Sequence, residues 1–407
     1  MSTLVKNGLT EASIERLPFF FRQICRIASR IRYGVLTFTL PDGSQLTFTG
    51  EDETHTAATI IVHDFSFARR TLLGGDIGFF ESYADGQWST PDLADCLYIF
   101  ARNADHVQEA FAANPIVDLL NNIRHTFNKN TRAGSRRNIM AHYDLGNSFY
   151  EKWLDSSMTY SSALFPSPSA DLTSAQENKY KKLAQSIDLR PDERVLEIGS
   201  GWGGFAEFAA KNVGANVTGL TLSPSQYEYA RERIFREGLN DKVEFRLQDY
   251  RDVSDHFDKI ASIEMFEAVG KEYWPAYFDK VRTVLKPGGL AGLQIITIAD
   301  RFFDRYLKST DFIQRYVFPG GVLPSPTALK GLIGKAGLSL RGVTEFGEDY
   351  AHTLNEWHQR FVASWDDIRP LGFDDRFKKL WKFYLAYCEA GFRAGTTNVC
   401  QVTMARS

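Results

Sequence analysis

A glutamate and several glycines follow a short apolar run near the middle of the chain, where residues 194–204 read Arg-Val-Leu-Glu-Ile-Gly-Ser-Gly-Trp-Gly-Gly. This order predicts a buried strand, a tight glycine turn and the start of a helix. Because glycine accepts positive φ angles and has no Cβ, a ligand can lie against such a turn and face the free N–H groups of the helix. Glu197 is expected at the strand tip. The Gly-Lys-Ser/Thr ending of a phosphate-binding loop does not follow, so the turn predicts another ligand or an ordinary strand–helix connection.

The glycine turn belongs to a regular alternation of predicted strands and helices. Further strands are expected at 215–220, 243–247, 259–263 and 290–298, and helices at 172–187, 224–237 and 273–285. Such alternation predicts an α/β fold, a parallel sheet with helices on both faces. Ligands bind these sheets at the carboxyl ends of the strands, where the glycine turn lies. Beyond the fifth strand we expect mainly helices at 301–345, 348–365 and 374–392, and a closing strand at 397–405.

The N-terminal part of the chain predicts a small α+β arrangement. Residues 16–32 have apolar side chains at helical spacing and arginines on one side. This helix could lie on an anionic membrane surface, or pack on its own domain with a solvated basic face. A hairpin is expected at 35–48 around Pro-Asp-Gly. The glycine- and aromatic-rich stretch 74–88 is expected to form a loop over the core.

A polar, basic stretch at 121–141 is interpreted as an inter-domain linker. It would separate an N-terminal domain, 1–120, from a second domain, 142–407. Its basic side chains could attract phosphate head groups or could simply be solvated.

The composition excludes several classes of function. The chain has 407 residues and a formal net charge of -3, which does not favour binding to nucleic acid. Its four cysteines form no Cys-x-x-Cys pair, so reduced thiols are expected rather than a zinc or redox site, and no metal is expected. With no signal peptide and no run of ~18 apolar residues, a cytoplasmic location is expected.

Seven motifs, in order along the chain, together resemble those of the cyclopropane-fatty-acyl-phospholipid synthases. They are Glu81-Ser82-Tyr83-x-Asp85-Gly86-x-Trp88, His142-Tyr143-Asp144-Leu145-Gly146-Asn147, Tyr160-Ser161, the glycine turn with Trp202, Gln248-Asp249-Tyr250-Arg251-Asp252, Met265-Phe266-Glu267 and Phe392-Arg393-Ala394. The Glu-x-Gly-x-Gly-x-Gly pattern also resembles motif I of the class I S-adenosylmethionine (SAM) methyltransferases. The resemblance covers nearly the whole chain. It implies a Rossmann-like, mostly parallel seven-stranded sheet, a helical cap over an apolar acyl tunnel, and an N-terminal domain that presents phospholipid.

The resemblance implies SAM as the cofactor and an unsaturated acyl chain of a membrane phospholipid as the substrate, to whose double bond a one-carbon unit is added. By motif position, the residues implied in SAM binding are Tyr160, Ser161, Glu197, Gly199, Gly201, Thr221, Leu222, Gln226, Gln248 and Asp249. Most SAM enzymes have an acid for the ribose hydroxyls where Thr221 stands, at the end of the second strand.

Methyl transfer to an alkene needs alignment in a dry site and then stabilisation of a carbocation. Glu267 and aromatic faces could stabilise that charge. To close a cyclopropane ring, a base must also remove a proton, and the family is understood to use a bicarbonate. Its ligands there are a cysteine, a glutamate, a histidine, a tyrosine and backbone groups. The candidate catalytic residues are Glu267, Ser162, His358 and Tyr350.

Three positions of the implied anion site are changed in this chain. Ser162 replaces the cysteine, Ile296 replaces the histidine, and His358 replaces the tyrosine of a Trp-Tyr-x-Arg-Phe motif. Ser162 and His358 could still donate to a small anion, whereas the Ile296 side chain could not. Methyl transfer is therefore better supported than ring closure. A base placed elsewhere would give a methyl- or methylene-branched chain, and Glu264 is a candidate; otherwise Glu264 caps a helix or pairs with an arginine.

Two other functions stay open from the sequence. A small-molecule methyltransferase of the same fold would need a polar tunnel beside Glu267. A non-catalytic lipid-binding relative would not bind SAM, against which Glu197, Gly199, Gly201 and Gln226 argue. The resemblance further implies a peripheral membrane surface and a homodimer as partners.

Overall fold

The computed structural model describes residues 3–5, 16–106 and 145–407. These residues form two compact units. The first unit contains the described residues up to 106 together with Lys308–Arg315 and Gly372–Thr396, and the second contains the others.

The predicted domain boundaries can be compared with these units only in part. The proposed linker, 121–141, and the motif residues 142–144 lie outside the described residues. The sequence places everything from 142 onwards in one domain, whereas Lys308–Arg315 and Gly372–Thr396 group with the first unit.

Strands and helices are numbered along the chain. The strands of the described residues are β1 (Thr3–Val5), β2 (Tyr33–Thr39), β3 (Gln45–Thr49), β4 (Asp52–Val62), β5 (Trp88–Ser89), β6 (Arg194–Ile198), β7 (Asn216–Thr221), β8 (Val243–Leu247), β9 (Phe257–Ile263), β10 (Leu285–Ile298), β11 (Leu338–Glu345) and β12 (Thr397–Arg406). The α-helices are α1 (Phe19–Ala28), α2 (Ser66–Ala84), α3 (Leu93–Arg102), α4 (Asn147–Tyr150), α5 (Leu172–Ser186), α6 (Gly204–Phe208), α7 (Pro224–Arg236), α8 (Trp274–Val284), α9 (Asp300–Tyr306), α10 (Phe312–Tyr316), α11 (Pro326–Lys335), α12 (Gly347–Ala363), α13 (Trp365–Ile368) and α14 (Asp375–Arg393). A π-helical turn continues α6 at Ala209–Val213, and 3₁₀ turns lie at Tyr250–Asp252, Phe266–Ala268, Lys271–Tyr273 and Arg369–Leu371.

The first unit is built on a five-stranded sheet of order β1-β3-β2-β4-β5. The hairpin predicted around Pro-Asp-Gly is present, because β2 and β3 pair antiparallel. Alternate side chains of β2 are buried, and Phe38 packs edge-to-face on Phe21 of α1 with ring centroids 5.5 Å apart. Helix α14 joins this unit through its packing on α3, where Arg393 bonds to Asp95 at 2.7 Å.

The predicted loop at 74–88 is wrong, because most of it is helical. Helix α2 continues to Ala84, with a kink at Gly75, where φ is 61° and ψ is -140°. The two adjacent glycines are weak helix formers and suggest a loop. After the kink, however, Phe79 and Phe80 are buried in the core, and this tertiary packing outweighs the local propensity.

The second unit is built on a seven-stranded sheet of order β11-β12-β10-β9-β6-β7-β8. Strands β10, β9, β6, β7 and β8 are parallel to one another, and β12 runs antiparallel to both of its neighbours. Residues Val195, Leu196 and Ile198 of β6 are fully buried, as expected for a central parallel strand covered on both faces. The mostly parallel, seven-stranded α/β fold predicted from the sequence is confirmed.

The expectation of largely helical structure over 301–345 is wrong for its last part. Strand β11 occupies Leu338–Glu345 and pairs antiparallel with β12 at the edge of the sheet. All but its first two residues are exposed, so it lacks the alternating burial that would have indicated a strand.

Among the described residues, no helix combines the length and the apolar character needed to span a membrane.

Candidate active site

The glycine turn lies at the carboxyl end of β6, as predicted. Gly199 and Gly201 have φ angles of 85° and 51°, which favour glycine. A Cβ on Gly199 would lie 2.6 Å from the Met265 side chain, whereas no described atom lies within 4 Å of the Cβ position of Gly201. Glu197 is buried, burial raises its pKa well above the usual value, and its Oε2 has no hydrogen-bond partner among the described residues. Open space and a free buried acceptor therefore lie at the same strand end.

The neighbouring strand, β7, ends in a hydrogen-bonded turn that contains three of the predicted cofactor residues. Thr221 donates to the side-chain oxygen of Gln226 at 3.0 Å and accepts from the Ser223 N–H at 3.1 Å. Ser223 caps α7, which fixes the start of the helix on which Gln226 lies. Leu222, between them, is half-buried. This turn thus fixes the orientation of the Gln226 amide at the end of β7, the neighbour of β6.

Gln248 and Asp249 follow the next strand, β8, and both are half-buried. Asp249 caps the turn Tyr250–Asp252 and accepts from Arg251 Nε at 2.8 Å. Strands β6, β7 and β8 are adjacent in the sheet, and their carboxyl ends lie at one edge because they are parallel. The predicted cofactor residues on these three strands therefore share one edge of the sheet.

Residues 160–165 bring the hydroxyl motif to the same sheet. Ser161 is buried; its hydroxyl accepts from Lys179 Nζ at 2.6 Å, and its carbonyl accepts from the Gln176 amide at 2.9 Å. The Ser162 hydroxyl donates to the Ala163 carbonyl at 2.9 Å, so this side chain is held by its own segment. The N–H of Ser162 instead reaches a carboxylate, that of Glu264.

Glu264 follows the last residue of β9 and is held by donors from three elements. Its Oε1 accepts from the Ser162 N–H and from the Gln294 side-chain amide, each at 2.8 Å, and its Oε2 accepts from the Tyr350 hydroxyl at 2.6 Å. The sequence left open whether Glu264 caps a helix or pairs with an arginine. In the structure its carboxylate instead accepts from three neutral donors. The backbone φ of Glu264 is 50°, a left-handed conformation that costs about 1 kcal/mol for a residue other than glycine. Burial raises the pKa of Glu264, and the three donors and Lys179 oppose that rise.

Glu267 lies in the following 3₁₀ turn and has a different environment. Its Oε1 accepts from the Ile296 N–H at 2.5 Å, while its Oε2 is buried without a hydrogen-bond partner among the described residues. Burial, with a smaller contribution from the charge of Glu264, raises the pKa of Glu267 to about 8. A negative charge on Glu264 therefore disfavours a second negative charge on Glu267. Glu264 has three donors and Glu267 has one, so hydrogen bonds stabilise a negative charge on Glu264 more than on Glu267.

Aromatic rings lie beside the carboxylates. Tyr350 belongs to α12 and packs edge-to-face on Trp357, with ring centroids 6.2 Å apart. Trp357 in turn lies 5.3 Å from Tyr160 and 5.7 Å from Trp153, centroid to centroid. Tyr160 and Tyr350, both predicted site residues, are therefore linked through one buried ring. His358 follows Trp357 on the same helix, and its role as an anion ligand stays a prediction.

The sequence did not indicate three polar residues beneath this cluster. Lys179 is fully buried, and burial lowers its pKa to about 7, against the opposing effect of nearby acids. Gln401 donates to the Lys179 carbonyl and to Gln294 Oε1, both at 3.2 Å. One signal was available: Lys179 occupies an inward position of α5, on the same stripe as the buried Ala175 and Leu183. A lysine at such a position indicates a partner in the protein interior.

The comparisons with known proteins cover most of the chain. Residues 130–402 match the family model described as mycolic acid cyclopropane synthetase. The chain is 37% identical over 370 residues to the tuberculostearic acid methyltransferase UfaA1 of Mycobacterium tuberculosis, covering 88% of this chain and 86% of that protein. It is 36% identical over 361 residues to the cyclopropane-fatty-acyl-phospholipid synthase of Escherichia coli, covering 86% and 88%.

A solved structure supports the fold assignment. The crystal structure of mycolic acid cyclopropane synthase CmaA1, complexed with SAH and CTAB, has a TM-score of 0.62 and 29% identity, and the match covers 66% of this chain and 97% of that chain. This likeness confirms the class I methyltransferase fold predicted from the glycine turn and its alternating strands.

Proposed function

Because the chain belongs to the mycolic acid cyclopropane synthetase family, we propose that it is a SAM-dependent methyltransferase that acts on the double bond of an unsaturated acyl chain in a membrane phospholipid. The E. coli relative is named as a cyclopropane-fatty-acyl-phospholipid synthase, and UfaA1 is named as a tuberculostearic acid methyltransferase. Both names concern acyl chains, which favours a lipid over a small polar substrate.

SAM is the cofactor, and when bound it supplies an electrophilic methyl group. The open space beside Gly201 and the unpartnered buried oxygen of Glu197 fit such a ligand at the end of β6. We assign Thr221 and Gln226 to the ribose and methionine region and Asp249 to the adenine region. In this assignment, Tyr160 and Ser161 close the site from the opposite side. The remaining assigned contacts are those of Gly199, Leu222 and Gln248.

The residues next to this cradle suit a carbocation. An alkene that takes a methyl group becomes positively charged, and water would capture that charge. Tyr160 and Trp357 offer aromatic faces, each worth about 2 kcal/mol to a desolvated cation. The carboxylate of Glu264 adds a fixed negative charge. The single observation that carries the proposal is the pairing of the Glu264 carboxylate with aromatic rings next to the glycine turn.

We further propose an acyclic, methyl- or methylene-branched product rather than a cyclopropane. The N–H groups of Ser162 and Ile296 already donate to Glu264 and Glu267, and the Tyr350 hydroxyl donates to Glu264. Groups that would otherwise be able to hold a free bicarbonate are thus engaged by the protein's own carboxylates.

The test uses purified protein, SAM labelled in its methyl group, and phospholipid vesicles that differ only in acyl unsaturation. We expect label in the acyl chains of cis-monounsaturated vesicles and none in saturated vesicles of the same head group. Label in neither, with SAM binding verified by calorimetry, would contradict the proposal and favour a lipid-binding role. Label transferred to an added amine or phenol, but not to lipid, would favour a small-molecule methyltransferase.

A further inference from the structure

The carboxylate of Glu264 occupies a ready-made anion site. Its three donors come from the segment 160–165, from β10 and from α12, so they converge from separate elements. Such convergence is typical of a site that binds a small carboxylate or carbonate ion. In this chain the three donors bind a carboxylate of the protein itself, that of Glu264.

The backbone supports this interpretation. Glu264 adopts its left-handed conformation next to the strand end, while its N–H still bonds to the Gln294 carbonyl at 2.9 Å. Strain of this kind persists where the surroundings fix it, and it concentrates at functional sites. Glu264 is also only half-buried as a residue, so part of it faces open space.

We propose that the Glu264 carboxylate is the proton acceptor of the reaction and replaces a free anion in that role. The proposal rests on the proposed function. Tyr350 is assigned as its positioning residue, since the Tyr350 hydroxyl fixes the second carboxylate oxygen.

The step balances without an oxidant or reductant. The π electrons of the alkene form a C–C bond to the methyl group, and the C–S bond breaks with its electrons left on sulfur. The positive charge then lies on the alkene carbon next to the one that took the methyl group. A 1,2-hydride shift from the methyl-bearing carbon moves the charge onto that carbon, as a methylene-branched product requires. Glu264 takes a proton from a carbon next to that charge, and the C–H electrons become a new C=C bond. The protonated carboxyl releases its proton to water after the product leaves.

Other groups around Glu264 are consistent with this role. Glu267 has its pKa raised to about 8, and it therefore remains mostly protonated at neutral pH and adds little competing negative charge. Lys179 contributes a favourable charge to Glu264 without a direct ion pair in the described contacts. A second anion in this site, such as a free bicarbonate, would meet repulsion from the Glu264 carboxylate.

The test is removal of the carboxylate and its replacement from solution. Glu264→Gly keeps a residue that accepts positive φ, so folding should be preserved. In buffer freed of carbon dioxide, we expect wild-type activity to be unchanged and Glu264→Gly to lose at least about 100-fold in turnover, the scale of an acid–base contribution. Added formate or bicarbonate should raise the turnover of Glu264→Gly at least about tenfold, because the three donors are then free to bind the added anion.

Two variants make the result specific. Glu264→Gln fills the same space without a base, so it should be inactive and should not respond to formate. Asp349→Ala removes another carboxylate on α12, one that accepts from the Phe165 N–H, and its activity should not be raised by formate either.

Each outcome decides the inference. Dependence of the wild type on bicarbonate, full activity of Glu264→Gly, or its lack of recovery with formate while SAM still binds, would overturn the assignment. A wild type that transfers no label to lipid would instead refute the proposed function, so the two failures are distinguishable.

Discussion

At the scale of single residues, the site depends on how three ionisable side chains share one environment. Glu264 has three neutral donors, Glu267 has one, and Lys179 donates to Ser161. Burial raises the pKa values of both acids and lowers that of the lysine. The arrangement places one negative charge next to the aromatic rings and keeps the second carboxyl neutral, which suits a site that must hold one transient cation.

Glu267 should make stability depend on pH. Its pKa rises from 4.5 to about 8 on folding, so the folded state binds the proton more tightly and stability falls as pH rises between these values. Glu267→Gln does not titrate. In thermal unfolding, the Tm of the variant relative to that of the wild type should therefore rise by a few degrees from pH 5 to pH 8. A constant difference in Tm across that range would show that Glu267 is ionised in the folded protein.

Gly201 should control cofactor binding. Gly201→Val would place a side chain in the open space beside the glycine turn, and we expect SAM affinity in calorimetry to fall at least about 100-fold. Gly238→Val is the matched control, since Gly238 also has a positive φ and open space around its Cβ position but lies after α7. Equal loss of SAM binding in both variants would mean that backbone strain, not the cradle, is responsible.

At the scale of elements, the sheet was predictable because its strands carry strong local signals. Val195, Leu196 and Ile198 are apolar and fully buried, and Ser223 caps its helix as expected. Two elements were not predictable from local sequence patterns, because tertiary contacts determine them. Strand β11 exists because β12 pairs with it, and α2 continues past two glycines because its second half is buried.

The site was predictable in the same uneven way. Motif spacing placed Gly201 and Glu267 at strand ends. The convergence of Ser162, Gln294 and Tyr350 on Glu264 joins residues 30 to 102 positions from it along the chain. No single stretch of sequence contains that arrangement, so only the fold reveals which carboxylate has the donors.

The kink in α2 offers a test of element-level strain. Gly75→Ala should lower the free energy of unfolding by about 1–2 kcal/mol, because an alanine disfavours a φ of 61°. Gly74→Ala, one residue earlier, has equal space around its Cβ position and no positive φ, and it should be neutral or stabilising by up to about 1 kcal/mol. Denaturant unfolding measures both, and equal effects would place the kink elsewhere.

At the scale of the whole molecule, the first unit contains a basic helix for which the sequence left two alternatives open, an anionic membrane surface and its own domain. On α1, Phe21 and Cys25 are buried in the unit, while Phe19 is 47% exposed; Arg26 on the helix and Arg30 just after it are exposed. The helix thus packs on its own unit and still offers an exposed ring with cationic side chains. We propose that this face contacts an anionic membrane surface and that the enzyme acts there as a peripheral protein; self-association stays a prediction.

Vesicle binding should depend on this face. Replacing Arg26 and Arg30 with glutamine should weaken co-sedimentation with anionic vesicles roughly tenfold or more, at about 1 kcal/mol for each charge near the surface. Replacing Arg231 and Arg236, exposed arginines of α7, removes the same charge from another surface and should have little effect. Identical binding of the two double variants would remove α1 from the membrane contact.

The reaction proposed for this enzyme is methyl transfer to an acyl double bond without ring closure. The most direct measurement is ¹³C NMR of phospholipid recovered after reaction of the wild-type protein with SAM labelled at the methyl carbon. We expect the label in the acyl chain, as a methyl or methylene branch on a chain that retains one C=C bond. Label in a cyclopropane carbon would contradict the acyclic product, and an unlabelled acyl chain would contradict the assignment to lipid.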